Sequence, residues 1–327
     1  MKRMMGIAAL AVLAGCATTE KPARDICVEK TTVAGEAPSL LPSGRDFKLV
    51  WHDEFNGTAL DASKWGYRTN FWGKRFPAFA GPEDKAVEVK DGKIALKLIK
   101  RPDGQYASPQ LQTGELVWDY PWVENRPGFW PLPKRQPPKF VHKFGYYECR
   151  CKLQKKPGWW SAFWMQTETQ GTCLDPERAG IEHDIMEAFE PGEVLPHCFH
   201  ANGYGADYRG FKISETWKKG ENVHNHTVKV DPEEYHVFGM LWEPDGYTCY
   251  IDGVQDGPKT GYATGDPVSH CPEFILLTTE AKWYRNKRMT GKGVPELAAA
   301  VGDAFVVDYV RVYDEVGTAG PLGNPER

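Results

Sequence analysis

Glu182-His183-Asp184-Ile185-Met186-Glu187 places three carboxylates in one short segment, interleaved with apolar side chains. Acids this close repel one another, so a folded chain retains them mainly where chemistry uses them. Cleavage of a glycosidic bond asks for such a set. One carboxylic acid protonates the leaving oxygen, a second carboxylate attacks the anomeric carbon, and a third holds the attacking group in place.

The backbone decides whether the three acids can cooperate. On a regular strand Glu182 and Asp184 share a face, while Glu187, five positions beyond Glu182, points the other way. A single β-bulge in the Ile185-Met186 stretch restores the phase and puts all three on one surface. Retention of anomeric configuration requires the two working carboxyl groups roughly 5–5.5 Å apart, so their side chains must lean toward each other over Asp184. A helix is the competing reading, because Ile181, Ile185 and Phe189 recur at intervals of four. It would place Glu182 and Glu187 about 140° apart on a solvated acidic face with no site.

The elements that must position these acids begin well inside the chain. Lys2 and Arg3 precede an apolar run over residues 4–12 that is too short to span a bilayer, and Leu13-Ala14-Gly15-Cys16 follows. This start is similar to a bacterial lipoprotein signal, which implies a signal peptide over 1–15, removed by cleavage, and a lipid on Cys16. The alternative is an ordinary secretory signal. Either reading predicts an exported chain, held to a membrane, at the cell surface or facing the periplasm, through lipid alone. Residues 16–43, rich in Lys, Glu, Thr and Pro, suit a tether, 44–315 the folded domain, and 316–327 a tail.

Composition bounds the partners. A net charge of −4 gives no polyanion-binding signature, so nucleic acid is not expected. With Cys16 set aside, Cys27, Cys149, Cys151, Cys173, Cys198, Cys249 and Cys271 form an odd set, and no disulfide connectivity follows from spacing. The close pair Cys149 and Cys151 lacks the two-residue gap of common zinc knuckles. Apolar alternation over 47–51, 86–89, 93–98, 145–153, 236–242, 247–251 and 305–313 reads as short strands separated by turn signals such as Asp91-Gly92 and Asp252-Gly253. Only 295–301 looks helical. Strands at this density predict one all-β domain, a sandwich or jelly roll.

With the strands in order, the chain resembles glycoside hydrolase family 16, the laminarinase, agarase and endo-β-galactosidase type. The likeness rests on Leu49-Val50-Trp51-His52-Asp53-Glu54-Phe55, Gly145-Tyr146-Tyr147-Glu148, Gly158-Trp159-Trp160-Ser161-Ala162-Phe163-Trp164-Met165, the bulged Glu-x-Asp-x-x-Glu signature at 182–187, Trp242-Glu243-Pro244-Asp245-Gly246, and Val307-Asp308-Tyr309-Val310-Arg311-Val312-Tyr313. The resemblance implies a concanavalin A-like jelly roll of two curved antiparallel sheets with a concave substrate cleft. It also implies endo-acting cleavage of β-linkages with retention. Carried over by position, Glu182 is the nucleophile, Asp184 its support and Glu187 the general acid and base, and His200 matches a histidine placed beside the acid/base. A structural histidine is the plainer reading of His200. His183 should face the sheet interior.

Departures bear on the substrate. Phe274-Ile275-Leu276-Leu277-Thr278-Thr279-Glu280-Ala281-Lys282-Trp283 stands where many β-1,3-glucanases of this family carry a Gly-Gly-Asn-Trp segment, and Glu115 replaces an arginine. An insert over 116–142 carries Trp118, Trp122 and Trp130. These, with Trp164, are candidate platforms for sugar rings, or else pack the insert onto the sandwich. β-Glucans, galactans and poly-N-acetyllactosamine chains all fit the family's range. A non-catalytic glycan-binding protein on the same fold is the alternative, though binding alone does not need three crowded acids. A metal-dependent hydrolase built on His197, His200, His224 and His226 is a third reading without open-site logic. No cofactor is required on the leading reading, and no Asp-rich loop demands the structural calcium seen in this family. A monomer is expected.

Overall fold

A computed structural model describes residues 25–69, 79–114, 137–169, 176–201, 226–281 and 295–317. The strands of the first half are β1 (Cys27–Lys30), β2 (Ser39–Pro42), β3 (Phe47–Asp53), β4 (Gly66–Tyr67), β5 (Val87–Lys90), β6 (Lys93–Lys97), β7 (Ile99–Lys100), β8 (Tyr106–Ala107) and β9 (Gln110–Gln112). There follow β10 (Gly145–Lys152), β11 (Trp159–Thr167), β12 (Ile181–Glu190), β13 (Glu193–Ala201) and β14 (Val228–Lys229). The last are β15 (His236–Glu243), β16 (Gly246–Ile251), β17 (Val254–Gly261), β18 (Glu273–Ala281) and β19 (Ala304–Glu315). Among the described residues two short α-helices, α1 (Pro176–Ala179) and α2 (Pro295–Ala300), interrupt them, the second where the sequence predicts one.

Two antiparallel sheets form a jelly-roll sandwich. One runs β17-β16-β15-β10-β19-β6-β5, with β3 also on β19; the other runs β14-β13-β12-β11-β18-β9-β4. Period-two alternation sorts side chains between the faces. Inward residues of β11, β12 and β18 (Phe163, Met165, Ile181, Ile185, Met186, Ile275, Leu277) pack against Tyr147, Cys149, Cys151, Phe238, Met240, Trp242, Val310 and Val312 of the opposite sheet in one buried cluster. Cys149, Cys151 and Cys249 are buried free thiols, apolar filler in this core. Among the described residues no helix is long and apolar enough to cross a membrane.

The N-terminal boundary differs from the expectation. Residues expected to be tether up to 43 contain the β1–β2 hairpin, paired from Cys27↔Pro42 to Lys30↔Ser39 and laid on the outer face of the eight-stranded sheet. Leu41 packs there against Tyr146, Leu241, Tyr250 and Tyr313. Arg311 of β19, its side chain 0% exposed, clasps Glu54 through Nε and Nη2 at 2.9 and 2.7 Å and donates from Nη1 to Ser39 Oγ at 2.7 Å and the Ala37 carbonyl at 2.9 Å. A buried guanidinium needs this complete set of acceptors. The hairpin supplies half of it, so residues 25–43 belong to the folded unit rather than to a tether.

Candidate active site

The segment Glu182 to Glu187 lies on β12, in the seven-stranded sheet, and carries the expected bulge. Against β11 the register runs Gln166↔Glu182, Met165↔His183, Trp164↔Asp184, then Phe163↔Met186, Ala162↔Glu187 and Ser161↔Ala188, leaving Ile185 unmatched. Glu182, Asp184 and Glu187 therefore oppose Gln166, Trp164 and Ala162, alternate residues of one strand and so one face. Ile185 and Met186 both turn into the core cluster, as two residues facing one require. The helical reading is excluded.

The strand is also pinned at its entry. Gly180 has φ +72°, and a Cβ there would lie 2.0 Å from Thr167 Cγ2. The Thr167 hydroxyl donates to the Ala179 carbonyl at 2.7 Å, closing the turn from α1 into β12. Only glycine meets both the left-handed backbone and the close approach.

The acids are 5% (Glu182), 5% (Asp184) and 8% (Glu187) exposed, which is low enough to strengthen every charge interaction among them. Gln166 Nε2 donates to Glu182 Oε2 at 3.1 Å, and Arg68 Nη2 donates to Gln166 Oε1 at 3.0 Å, so the amide is oriented from behind. The Arg68 guanidinium lies 5.0 Å from the centre of the Trp164 ring, a cation over an aromatic face. Trp164 Nε1 donates to Thr278 Oγ1 at 2.8 Å. Thus Trp164, expected as a sugar platform, sits beside Asp184 on the acidic face with its indole locked by β18. Gln166 and Arg68 were not singled out by sequence. Alternation through Trp160, Ala162, Trp164 and Gln166 carried the signal for the first, while Arg68 reaches the site only through sheet pairing.

Two further features extend this face. Trp160 and Phe189 pack with ring centroids 5.6 Å apart on the side of Glu187. Gln110 Nε2 donates to Glu280 Oε1 at 2.7 Å, setting a fourth carboxylate on β18, opposite Trp160 in register. The backbone of His200 faces Glu182, and Leu195 faces Glu187; the His200 side chain lies outside the described residues. So do Trp118, Trp122, Trp130, Cys16, His224 and the His197 side chain. His226 pairs with Asp256 at 3.1 Å, on a strand of the other sheet. His183 points inward, its Nδ1 2.8 Å from Glu273 Oε2.

Comparison with known proteins agrees with this arrangement. The sequence model for glycosyl hydrolases family 16 matches residues 135–264, a span that contains the bulged strand. That segment carries the glycosyl hydrolase family 16 pattern. A glucan endo-1,3-β-glucosidase A1 of Niallia circulans is 26% identical over 84% of this chain, which spans only 39% of that protein's length. A β-porphyranase D of Zobellia galactanivorans is 26% identical over 94% of the chain and 70% of that protein. Among solved structures, a laminarinase of a Flavobacterium species shares the fold at a TM-score of 0.57 and 20% identity, covering 81% of this chain and 100% of that one. By name these proteins act on a 1,3-β-glucan, on porphyran and on laminarin.

Proposed function

We propose that the chain is an endo-acting β-glycoside hydrolase that cleaves internal linkages of an extracellular glycan with retention, by double displacement. The observation that carries this reading is the bulge at Ile185, because it alone brings Glu187 to the face that Glu182 and Asp184 occupy. In the first step Glu182 attacks the anomeric carbon while Glu187 delivers its proton to the departing oxygen; in the second, Glu187 takes a proton from water as it attacks the glycosyl ester. Asp184, between them, orients Glu182 and disperses its charge. Gln166, donating to Glu182, holds the nucleophile in the attacking rotamer.

The substrate of this reading is a β-glucan or a galactan, the latter including poly-N-acetyllactosamine chains; relatives named as a glucan endo-1,3-β-glucosidase and a β-porphyranase support a polysaccharide of this kind. We further propose that residues 1–15 are removed and that Cys16 carries the lipid, the reading that Lys2, Arg3 and Leu13-Ala14-Gly15-Cys16 support.

The test is to incubate the domain with β-glucans, galactans and mucin-type glycans and to follow new reducing ends and the anomer first released. Internal cleavage with the β-anomer formed first is expected, and Glu182→Gln should abolish it. Binding without any new reducing ends from the native chain would overturn the hydrolase reading in favour of a glycan-binding protein. Undiminished cleavage by Glu182→Gln would remove Glu182 from the role given to it.

A further inference from the structure

The inner face of β12 carries a polar pair that the chemistry does not touch. His183 lies between Glu182 and Asp184 in the chain but points into the sandwich, its side chain 3% exposed and paired with Glu273, which is 0% exposed. With Glu273 as a carboxylate its oxygen accepts, and Nδ1 then carries the hydrogen of this 2.8 Å bond. On β11, His183 faces Met165 and Glu273 faces Thr167. The two side chains therefore meet beneath β11 and join β12 to β18 across the strand between them. Glu273 is itself anchored, exchanging backbone bonds of 2.8 and 3.0 Å with His142. The imidazole stands 4.2 Å edge-on to Tyr247 and 5.7 Å from Trp242, both on the opposite sheet.

Stability does not account for such a pair. Burying a carboxylate against an imidazole costs several kcal/mol in desolvation, and apolar side chains of similar volume usually do as well or better. The inward neighbours on β12, Ile181, Ile185 and Met186, show that the interior accepts apolar groups there. A hydrogen bond supplies what apolar contact lacks, a preferred direction. Direction is needed at this point of the strand. The bulge begins two residues later, Ile185 has no partner on β11, and the ladder that would fix the twist of β12 is interrupted beside the acids.

We propose that the His183–Glu273 pair is a positioning device, a buried strut that sets the twist of β12 between Glu182 and Asp184 and so holds the carboxylates in their working geometry. This rests on the hydrolase reading of those acids. A misplacement of about 1 Å is enough to cost on the order of 100-fold in rate. The strut therefore acts on kcat through the acids and leaves glycan contacts, hence KM, nearly untouched.

The experiment compares the native chain with H183L/E273L, which replaces the whole pair by apolar groups, and with E273Q, which keeps an acceptor for Nδ1. Melting temperature, kcat, KM and amide exchange over residues 182–187 are measured on each. H183L/E273L should melt no lower than the native chain, lose about 10- to 100-fold in kcat with KM within about 2-fold, and exchange faster at 182–187 while the other core strands keep their protection. E273Q should fall between the two. A folded H183L/E273L with native kcat and native exchange overturns the proposal. If H183L/E273L does not fold, E273Q decides on the same readouts, and native values overturn it. If the native chain cleaves no glycan, the hydrolase reading has failed, and exchange at 182–187 alone decides whether the strut exists.

Discussion

Ile185 and Met186 are adjacent in β12, yet both side chains enter the same core cluster, and this doubling turns Glu187 to the face of Glu182. Removing one residue from the pair should straighten the strand without turning the acid away. Deletion of Ile185 takes out the unmatched residue and leaves Glu187 four positions from Glu182, still on its face, so a folded deletion variant should keep much of its activity. Glu187→Gln should instead lose the roughly 10²–10⁴-fold that a general acid supplies, without disturbing the strand. Reducing-end assays on both variants, with circular dichroism to establish folding, check the comparison.

Gln166 holds Glu182 by one hydrogen bond. Its replacement by Leu keeps the volume and removes the donor. A net bond to a charged group contributes about 1.5–3 kcal/mol, and about 1.4 kcal/mol is tenfold in rate. The kcat of Gln166→Leu should drop about 10- to 100-fold, with KM little changed.

Arg311 is held on both sides by Glu54 and by the β1–β2 hairpin. Arg311→Met leaves Glu54 buried without its partner, a loss of about 3–5 kcal/mol. Lower thermal stability and new protease cleavage within residues 25–43 are the expected outcomes, read by calorimetry and mass spectrometry.

Glu148, fully buried under the same hairpin, has its carboxyl pushed up to about 7 by burial, against hydrogen bonds from the Leu40 amide and Tyr313 that favour the ionised form. A folded value above the unfolded one means that the native state binds the extra proton between pH 4.5 and 7. Unfolding free energy from this group therefore decreases as pH rises through that window, by roughly 3 kcal/mol in all. Glu148→Gln imitates the protonated form. Its melting temperature relative to the native chain should rise from pH 4.5 to 7 and level off above; a difference that is flat across that range would contradict the assignment.

Replacing Gly180 by Ala forces a side chain into the left-handed region and against Thr167. Destabilisation beyond the ~1 kcal/mol typical of a glycine position is expected, with a loss of activity that tracks the unfolded fraction in a thermal melt.

Much of this is legible in the sequence. Strands such as Gly145–Lys152 and Ala304–Glu315 show themselves by local alternation, and the five-residue gap between Glu182 and Glu187 demanded a bulge once a strand was assumed. What could not be read is non-local. The hairpin at Cys27–Pro42 has a polar, tether-like composition because its order comes from Arg311 and Tyr313, some 270 residues later, and not from a pattern of its own. Arg68 and Gln166 are likewise 98 residues apart and meet only in the folded sheet.

Both ends of the described chain join the eight-stranded sheet: Asp25 bonds to Gln255 beside β17, and Val316 to Asp46 beside β3. A pull on either end is therefore delivered to the back of the sandwich, away from the acids. A load applied at Asp25 or Val316 would strain Gln255 and Asp46 before it reached the strand that holds the acids.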